Sequence, residues 1–268
     1  MSDRQPALFV GHGSPMTMIT DNAERRVLAE IGARLPRPRA VLCLSAHWET
    51  RGQTHVTAAG QPRTVHDFRG FPQELFDWRY SAESPAWLVD RIVALLGANR
   101  VRADDSWGYD HGTWGVLDLL FPGEHLPTVA MSLDRTLDAA GFLALGAALA
   151  PLRDEGVMIV GSGNVIHNLS LWRASAGTVP QWADEFRHRI NHAMTAGDRA
   201  ALTSFAPDDE PAAKAINSAE HYLPLLAVAG ARLPGDKVGI FNDTVDGALS
   251  MTSYYLGDAA TAPAAIAF

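Results

Sequence analysis

Ten histidines are spread over 268 residues, and their surroundings differ. His12 lies between two glycines in "FVGHGSPM", directly after a short apolar run, and His47 follows a second such run in "LCLSAHWET". His167 comes a few residues beyond another, in "MIVGSGNVIHNL". Imidazole is a preferred ligand for zinc, iron and other first-row metals. Small neighbours (Gly11 and Gly13; Ser45 and Ala46) would let an ion come close. A lone histidine after a strand is usually a hydrogen-bonded packing residue, but two at the same topological position read as a metal pair. His221 in "AEHYLPL" and His111 in "WGYDHGTWG" are further candidates, flanked by glycine or aromatics. The chain has no HExxH and no CxxC, so a metal site would have to be assembled over long range. His66, in "VHDFRGFP", suits either the wall of an aromatic pocket or a packed turn. His55, His125, His188 and His192 lack such contexts and read as surface or structural. The last two are an i,i+4 pair on what reads as a solvated helix face.

The elements that must position these side chains alternate along the chain. Short apolar runs and longer segments of helical period follow one another, the pattern of an α/β fold. Strands are predicted at 7–10, 40–45, 128–132, 157–160 and 238–241. Helices are predicted from an Asn22 cap to about 35, from Ser84-Pro85 to Gly97, and over 137–153, 180–196, 198–205 and 218–230. Ser218 is placed near the cap of the last of these, and the Ala/Pro-rich segment 257–268 reads as a surface tail. His12, His47 and His167 all fall just past strands. In an open α/β sheet, ligands gather outside the carboxyl ends of the strands, so distant histidines would converge on one rim.

Composition narrows the function classes. A formal net charge of −8 without a Lys/Arg cluster argues against a nucleic-acid partner. No apolar run approaches the roughly 20 residues that span a bilayer, and the first residues lack signal-peptide architecture. A cytoplasmic, soluble, single-domain protein over 1–268 is expected. Cys43, the only cysteine, sits in an apolar run and reads as a buried, inert thiol. "GSGNVI" imitates a dinucleotide loop but carries Ile166 at the third glycine position. Ser14 and Ser162 suggest a hydrolase, yet no G-x-S-x-G elbow exists.

Read in order, "FVGHGSPM", "LSAHWET", "HDFRGFP", "WGYDHGTWG", "GSGNVIHNL" and "EHYLPLL" run from residue 7 towards the end of the chain. This ordered set resembles the class III extradiol ring-cleavage dioxygenases of the LigB type, in particular their 4,5-DOPA-dioxygenase-like subgroup. The resemblance implies one α/β domain with a mostly parallel or mixed central sheet, helices on its faces and a mononuclear metal centre at the carboxyl rim. It implies His12 and His47 as ligands and His221 as the third, where more distant relatives use a glutamate and Glu220 stands adjacent. His167 matches the acid–base residue and in the subgroup's metal-bound forms contacts the ion as well. His111 matches a second active-site histidine. One divalent ion per chain is implied, Fe(II) for activity and Zn(II) as the alternative occupant. The partners would be a catechol and O2, and the product a muconic semialdehyde. His66, Phe71 and Trp114 are the candidates for substrate contact, beside Trp48, Phe68, Trp107 and Tyr109 as possible stacking rings and Arg69 as a possible carboxylate partner. A zinc-dependent hydrolase with His167 as its base, or a non-catalytic metal-binding relative, would use the same residues differently.

Overall fold

Residues 7–10 send their side chains alternately into two apolar cores, Ala7 and Phe9 into one, Leu8 and Val10 into the other. Leu42 and Leu44 alternate with Val41 and Cys43 in the same way. A strand that is apolar on both sides belongs inside a sheet covered on both faces. The computed structural model, which describes residues 4–260, 262–264, 266 and 267, has that architecture. The strands are β1 (Ala7–Gly11), β2 (Ala40–Thr50), β3 (Thr54–Thr57), β4 (Val101–Asp104), β5 (Thr128–Asp134), β6 (Val157–Gly163), β7 (Lys237–Phe241), β8 (Val245–Asp246), β9 (Leu249–Ser250) and β10 (Ser253–Gly257). Eight of them form one sheet in the order β4-β3-β5-β2-β6-β1-β10-β7, while β8 and β9 pair separately. The central strands β5, β2, β6 and β1 run parallel. β10 runs antiparallel to β1 and β7, and β3 to β5, so the sheet is mixed. Helices Ala86–Leu96, Ala139–Leu149, Gln181–Ala196 and Leu223–Gly230 cover one face, and Ala23–Arg34 and His111–Leu120 the other.

Each predicted strand is present. β2 continues to Thr50 through a register shift between Leu44 and Glu49, so His47 lies within an irregular strand rather than beyond it. Asn22 caps its helix by accepting from Arg25 N at 2.8 Å. Ser84 does not cap; it is fully buried, and its hydroxyl donates to Thr57 O at 3.2 Å. The helix expected over 137–153 is Ala139–Leu149 followed by a 3-10 segment, Ala150–Glu155. Pro151 lacks the N–H that would continue the α-helical ladder. The segment expected at 218–230 becomes helical only at Leu223, with Pro224 in the first turn, because a proline ring would clash with a helical carbonyl four residues earlier. The predicted surface tail is partly a packed segment. Gly257 ends β10 and 258–260 are exposed, but Ile266 is buried and Ala267 exchanges backbone hydrogen bonds with Ile240. Cys43 is fully buried, and burial raises its thiol pKa far above the ordinary value. Among the described residues, no helix is long and apolar enough to cross a membrane.

Opposite the carboxyl rim, Arg153 closes the structure. Its guanidinium, fully buried, meets both oxygens of Asp236 at 2.5 and 3.0 Å and donates to the carbonyls of Gln5, Ala231 and Leu256 at 2.8 to 3.0 Å. Removing one partner of a buried ion pair strands the other and its acceptors. Arg153→Ala is therefore expected to lower unfolding stability by about 3–5 kcal/mol, measured as a fall in the urea midpoint at constant slope.

Candidate metal centre

Three chain segments deliver the histidines to the rim. His12 directly follows β1, its amide donating to Gly163 O at 3.0 Å. His47 comes from the irregular half of β2. His221 occupies the turn before helix Leu223–Gly230, and its carbonyl accepts from Asn164 N at 2.8 Å. A Cβ on Gly163 would stand 2.1 Å from that carbonyl oxygen, so only glycine lets the turn approach the end of β6 so closely. The donor atoms of His12, His47 and His221 all lie within 4.8 Å of one another. Ring centroids are 5.0 to 5.2 Å apart, and the Nε2 atoms of His12 and His47 are separated by 3.0 Å.

The far side of each ring meets a polar partner, a hydrogen-bonding one for His12 and His221 and a carboxylate within ion-pair range for His47. Nδ1 of His47 lies 3.2 Å from Asp67 Oδ2, Nδ1 of His221 is 2.9 Å from Asn164 Oδ1, and Nδ1 of His12 is 2.8 Å from Ser162 Oγ. The Asn164 amide has only one workable orientation. Its nitrogen must donate to the carbonyls of His12 and Ser250 at 2.7 and 2.9 Å, which leaves the amide oxygen facing His221. His221 therefore carries its proton on Nδ1 and its lone pair on Nε2. The Asp67 carboxylate, within ion-pair range of His47 Nδ1, favours the proton on that nitrogen by its charge. Outer partners of this kind orient metal-binding imidazoles.

Burial, followed by the other histidines, holds the His12 and His221 pKa values well below the ordinary 6.5. The same effects take His47 down to about 3 despite Asp67. Burial raises the Asp67 pKa, but hydrogen bonding to His111 and the charges of His111 and His47 outweigh it and bring the carboxyl to about 2. The cluster is thus a set of neutral imidazoles backed by an anion, a donor set that fits a first-row divalent cation.

His167 stands beside this set rather than within it. Its ring stacks on His221 at 3.4 Å and 9°, and it groups with Glu220 and His221. Burial lowers its pKa, with Glu220 opposing. Glu220 itself accepts from Ser218 Oγ at 2.7 Å and does not group with His12 and His47. His111 is the first residue of its helix, which Asp110 caps through Thr113 N at 3.0 Å. Asp67 holds His111 twice, at Nδ1 (2.8 Å) and at the backbone amide (2.9 Å).

The aromatic candidates divide. Phe68 packs edge-on against His111 at 5.7 Å, and the partly exposed Phe71 packs on Phe68 at 5.2 Å. His66 is turned to packing: its Nε2 donates to Trp78 O at 3.2 Å, and its ring lies among Phe68, Phe76 and Trp114. Trp114 is fully buried, with its indole N–H on Val65 O at 3.0 Å, so it offers no face to a substrate. Trp48 stacks on Trp107, Tyr109 is fully buried, and Arg69 is exposed. The glycines around His12 serve packing as well. A Cβ on Gly11 would come within 2.5 Å of the Met251 backbone, and one on Gly13 within 3.0 Å of Glu24 Oε2. His55 pairs with Asp104, His125 with Ser81, and His188 and His192 are exposed.

Asp67, Asn164 and Ser162 were not singled out as site residues, although each lies inside a motif that was. Their neighbours His66 and His167 drew attention as the stronger ligand types, and a carboxylate or amide that acts through a histidine has no periodic signature.

Comparison with known proteins agrees with this geometry. A family described as the catalytic LigB subunit of aromatic ring-opening dioxygenase matches residues 6–253. The chain belongs to the LigB family. Within it, the chain is 42% identical over 263 residues to a 4,5-DOPA dioxygenase extradiol of Escherichia coli K12, covering 96% of both chains. It is 33% identical to a protein of the same name from Beta vulgaris, covering 92% of this chain and 94% of that one. A crystal structure of an uncharacterised Escherichia coli K12 protein superposes with a TM-score of 0.81 at 38% identity, covering 95% of this chain and all of that one. His12, His47, His111, His167 and His221 all lie inside the matched span.

Two outcomes are expected. Asn164→Ala frees His221 Nδ1 and should weaken divalent-metal affinity by about 10–100-fold, read by competition with a chromophoric chelator. In metal-free protein, histidines with depressed folded-state pKa values bind fewer protons than the unfolded chain does. Their effect is absent above about pH 6.5, and stability is lost as the pH falls below it, towards about 3 for His47. The slope reaches about 1.4 kcal/mol per pH unit for each such histidine, measurable by urea unfolding at pH 7.0 and 5.5.

Proposed function

We propose that this LigB-family chain is a metal-dependent extradiol dioxygenase that opens the ring of a catechol with O2 to give a muconic semialdehyde. The observation that supports this most is the convergence of ring nitrogens of His12, His47 and His221 within 4.8 Å of one another, with the His221 lone pair on the shared side. Names among the relatives, which include 4,5-DOPA dioxygenase extradiol, point to the same chemistry. Iron(II) held by these three imidazoles would supply the redox chemistry that couples ring to dioxygen, which a closed-shell zinc ion in the same place would not.

The other residues have separable roles in this reading. His167, stacked on His221 but outside the donor set, takes a proton from a catechol hydroxyl as the substrate binds and returns it when the ring opens. His111, fixed by Asp67 at Nδ1, presents Nε2 as a second hydrogen-bonding group. Phe68 and Phe71 form the apolar wall nearest His111, the surface on which an aromatic ring would pack.

The test begins with protein stripped of metal and loaded anaerobically with Fe(II). On exposure to air with a panel of catechols, one O2 should be consumed per catechol and a yellow semialdehyde should accumulate, while Zn(II)-loaded protein stays inert. Absence of uptake across the panel, with iron verified in the protein, would sink the reading. His167→Ala should keep its iron and lose about 10²–10⁴-fold in turnover; loss of the iron instead would make His167 a ligand.

A further inference from the structure

We infer that a small cavity behind His12 and His111 is a holding pocket for dioxygen, an apolar diatomic that would wait there within one imidazole ring of the metal centre. The inference rests on the dioxygenase reading above. The cavity has about 20 Å³ of free volume and is bounded on one side by His12 and His111. A site of this size admits one small molecule, and the chemistry of its walls decides which kind. Much of the wall is Met18, Leu28, Val116 and Leu119, all buried core residues.

Water needs two or more polar partners to stay in such a space, and several of the polar groups nearby are already committed. His12 Nδ1 is engaged by Ser162, and its Nε2 faces His47. His111 Nδ1 and amide are both held by Asp67. Thr17 Oγ1 donates to Glu24 Oε2 at 3.4 Å, and Ser14 Oγ accepts from Met16 N at 3.3 Å. Glu24 Oε1 has no partner, but it is shielded from solvent and so is not open to a water in the cavity. Burial raises the Glu24 pKa to about 7, which disfavours its charged form. Dioxygen asks for no hydrogen bonds and gains from contact with apolar walls. Such a pocket, with much of its wall apolar, favours an apolar guest beside the imidazoles.

Gly115, in helix His111–Leu120, borders the cavity and gives a way to fill it. A Cβ there would meet only Met18 Sδ, at 3.7 Å, an ordinary contact. Gly115→Ala should therefore fold normally and narrow the cavity, and Gly115→Val should occupy most of it. Neither residue change touches the donor set. Xenon, an apolar probe of comparable size, should bind in the wild-type cavity under pressure, seen in crystals or by xenon NMR, and should be lost in Gly115→Val. In iron-loaded enzyme the KM for O2 should rise roughly threefold or more, less in the Ala variant, while the KM for catechol stays unchanged. Absence of xenon from the wild-type cavity, or an unchanged KM for O2 in the folded Val variant, overturns the proposal while leaving the dioxygenase reading intact. Should Gly115→Val fail to fold, the same two measurements on Gly115→Ala decide. Xenon bound in the cavity of an iron-loaded protein that consumes no O2 would instead show that the dioxygenase reading has failed, and the pocket's assigned ligand with it.

Discussion

Three imidazole donor atoms within 4.8 Å of one another can serve one cation together only if all three face it as lone pairs. A protonated cluster would place like charges together in a buried setting, which is costly on both counts. The chain meets this constraint from behind. Asn164 and Ser162 hydrogen-bond the outer nitrogens of His221 and His12, and the Asp67 carboxylate faces that of His47, so the inner nitrogen of His221 is left as a lone pair and charge favours the same for His47. Asn164 is the most constrained of the three, because two carbonyls fix its amide before His221 is considered. The backbone of His12 and the ring of His221 thereby answer to one side chain.

The sheet makes this geometry affordable. Parallel strands β1, β6 and β2 are neighbours and end at the same rim, so residues far apart in sequence meet without long loops. Gly163 lets the His221 turn rest on the end of β6, and Gly11 lets the backbone at Met251 pass beside β1. Rigidity at the rim thus comes from close backbone contact as well as from side-chain packing. At the opposite end, Arg153 gathers the approaches to β1 and β7 and the end of β10 with buried hydrogen bonds. Side chains at the rim are held in place by strands whose other ends are tied down.

The parts legible in the sequence were those with a local signature. The inner strands are continuous apolar runs, and His12 and His47 could be read from their place after them. Short strands such as β3 and β4 carry too few apolar residues to stand out, and β10 was partly taken for the start of a tail. The helix that begins at His111 was missed because glycine and tryptophan obscure its period, although Asp110 is a normal cap. Trp114 looked like a stacking ring because it lies inside a motif, but only the fold shows that its helix turns it inward. The glycines around His12 suggested open space for an ion, whereas the fold fills that space with Met251 and Glu24. Pairing of Asp67 with two histidines is a long-range fact that no spacing encodes.

Charge gives the site a further character. His12, His47 and His221 are neutral donors, so none of them offsets the charge of a divalent cation. Of the carboxylates nearby, Asp67 lies behind His47 and His111 and acts through their rings, and Glu220 groups with His167 and His221. Most of the positive charge would remain facing the open side of the cluster. Such a face favours a ligand that brings paired anionic oxygens over one that brings a single neutral carbonyl. In the reaction proposed above, a catechol that gives up protons as it binds would meet that demand, with His167, half-buried and stacked on His221, proposed to receive one. On the proposed reading these features belong together: neutral donors favour a substrate that brings negative charge, and such a substrate calls for a nearby group to take its proton.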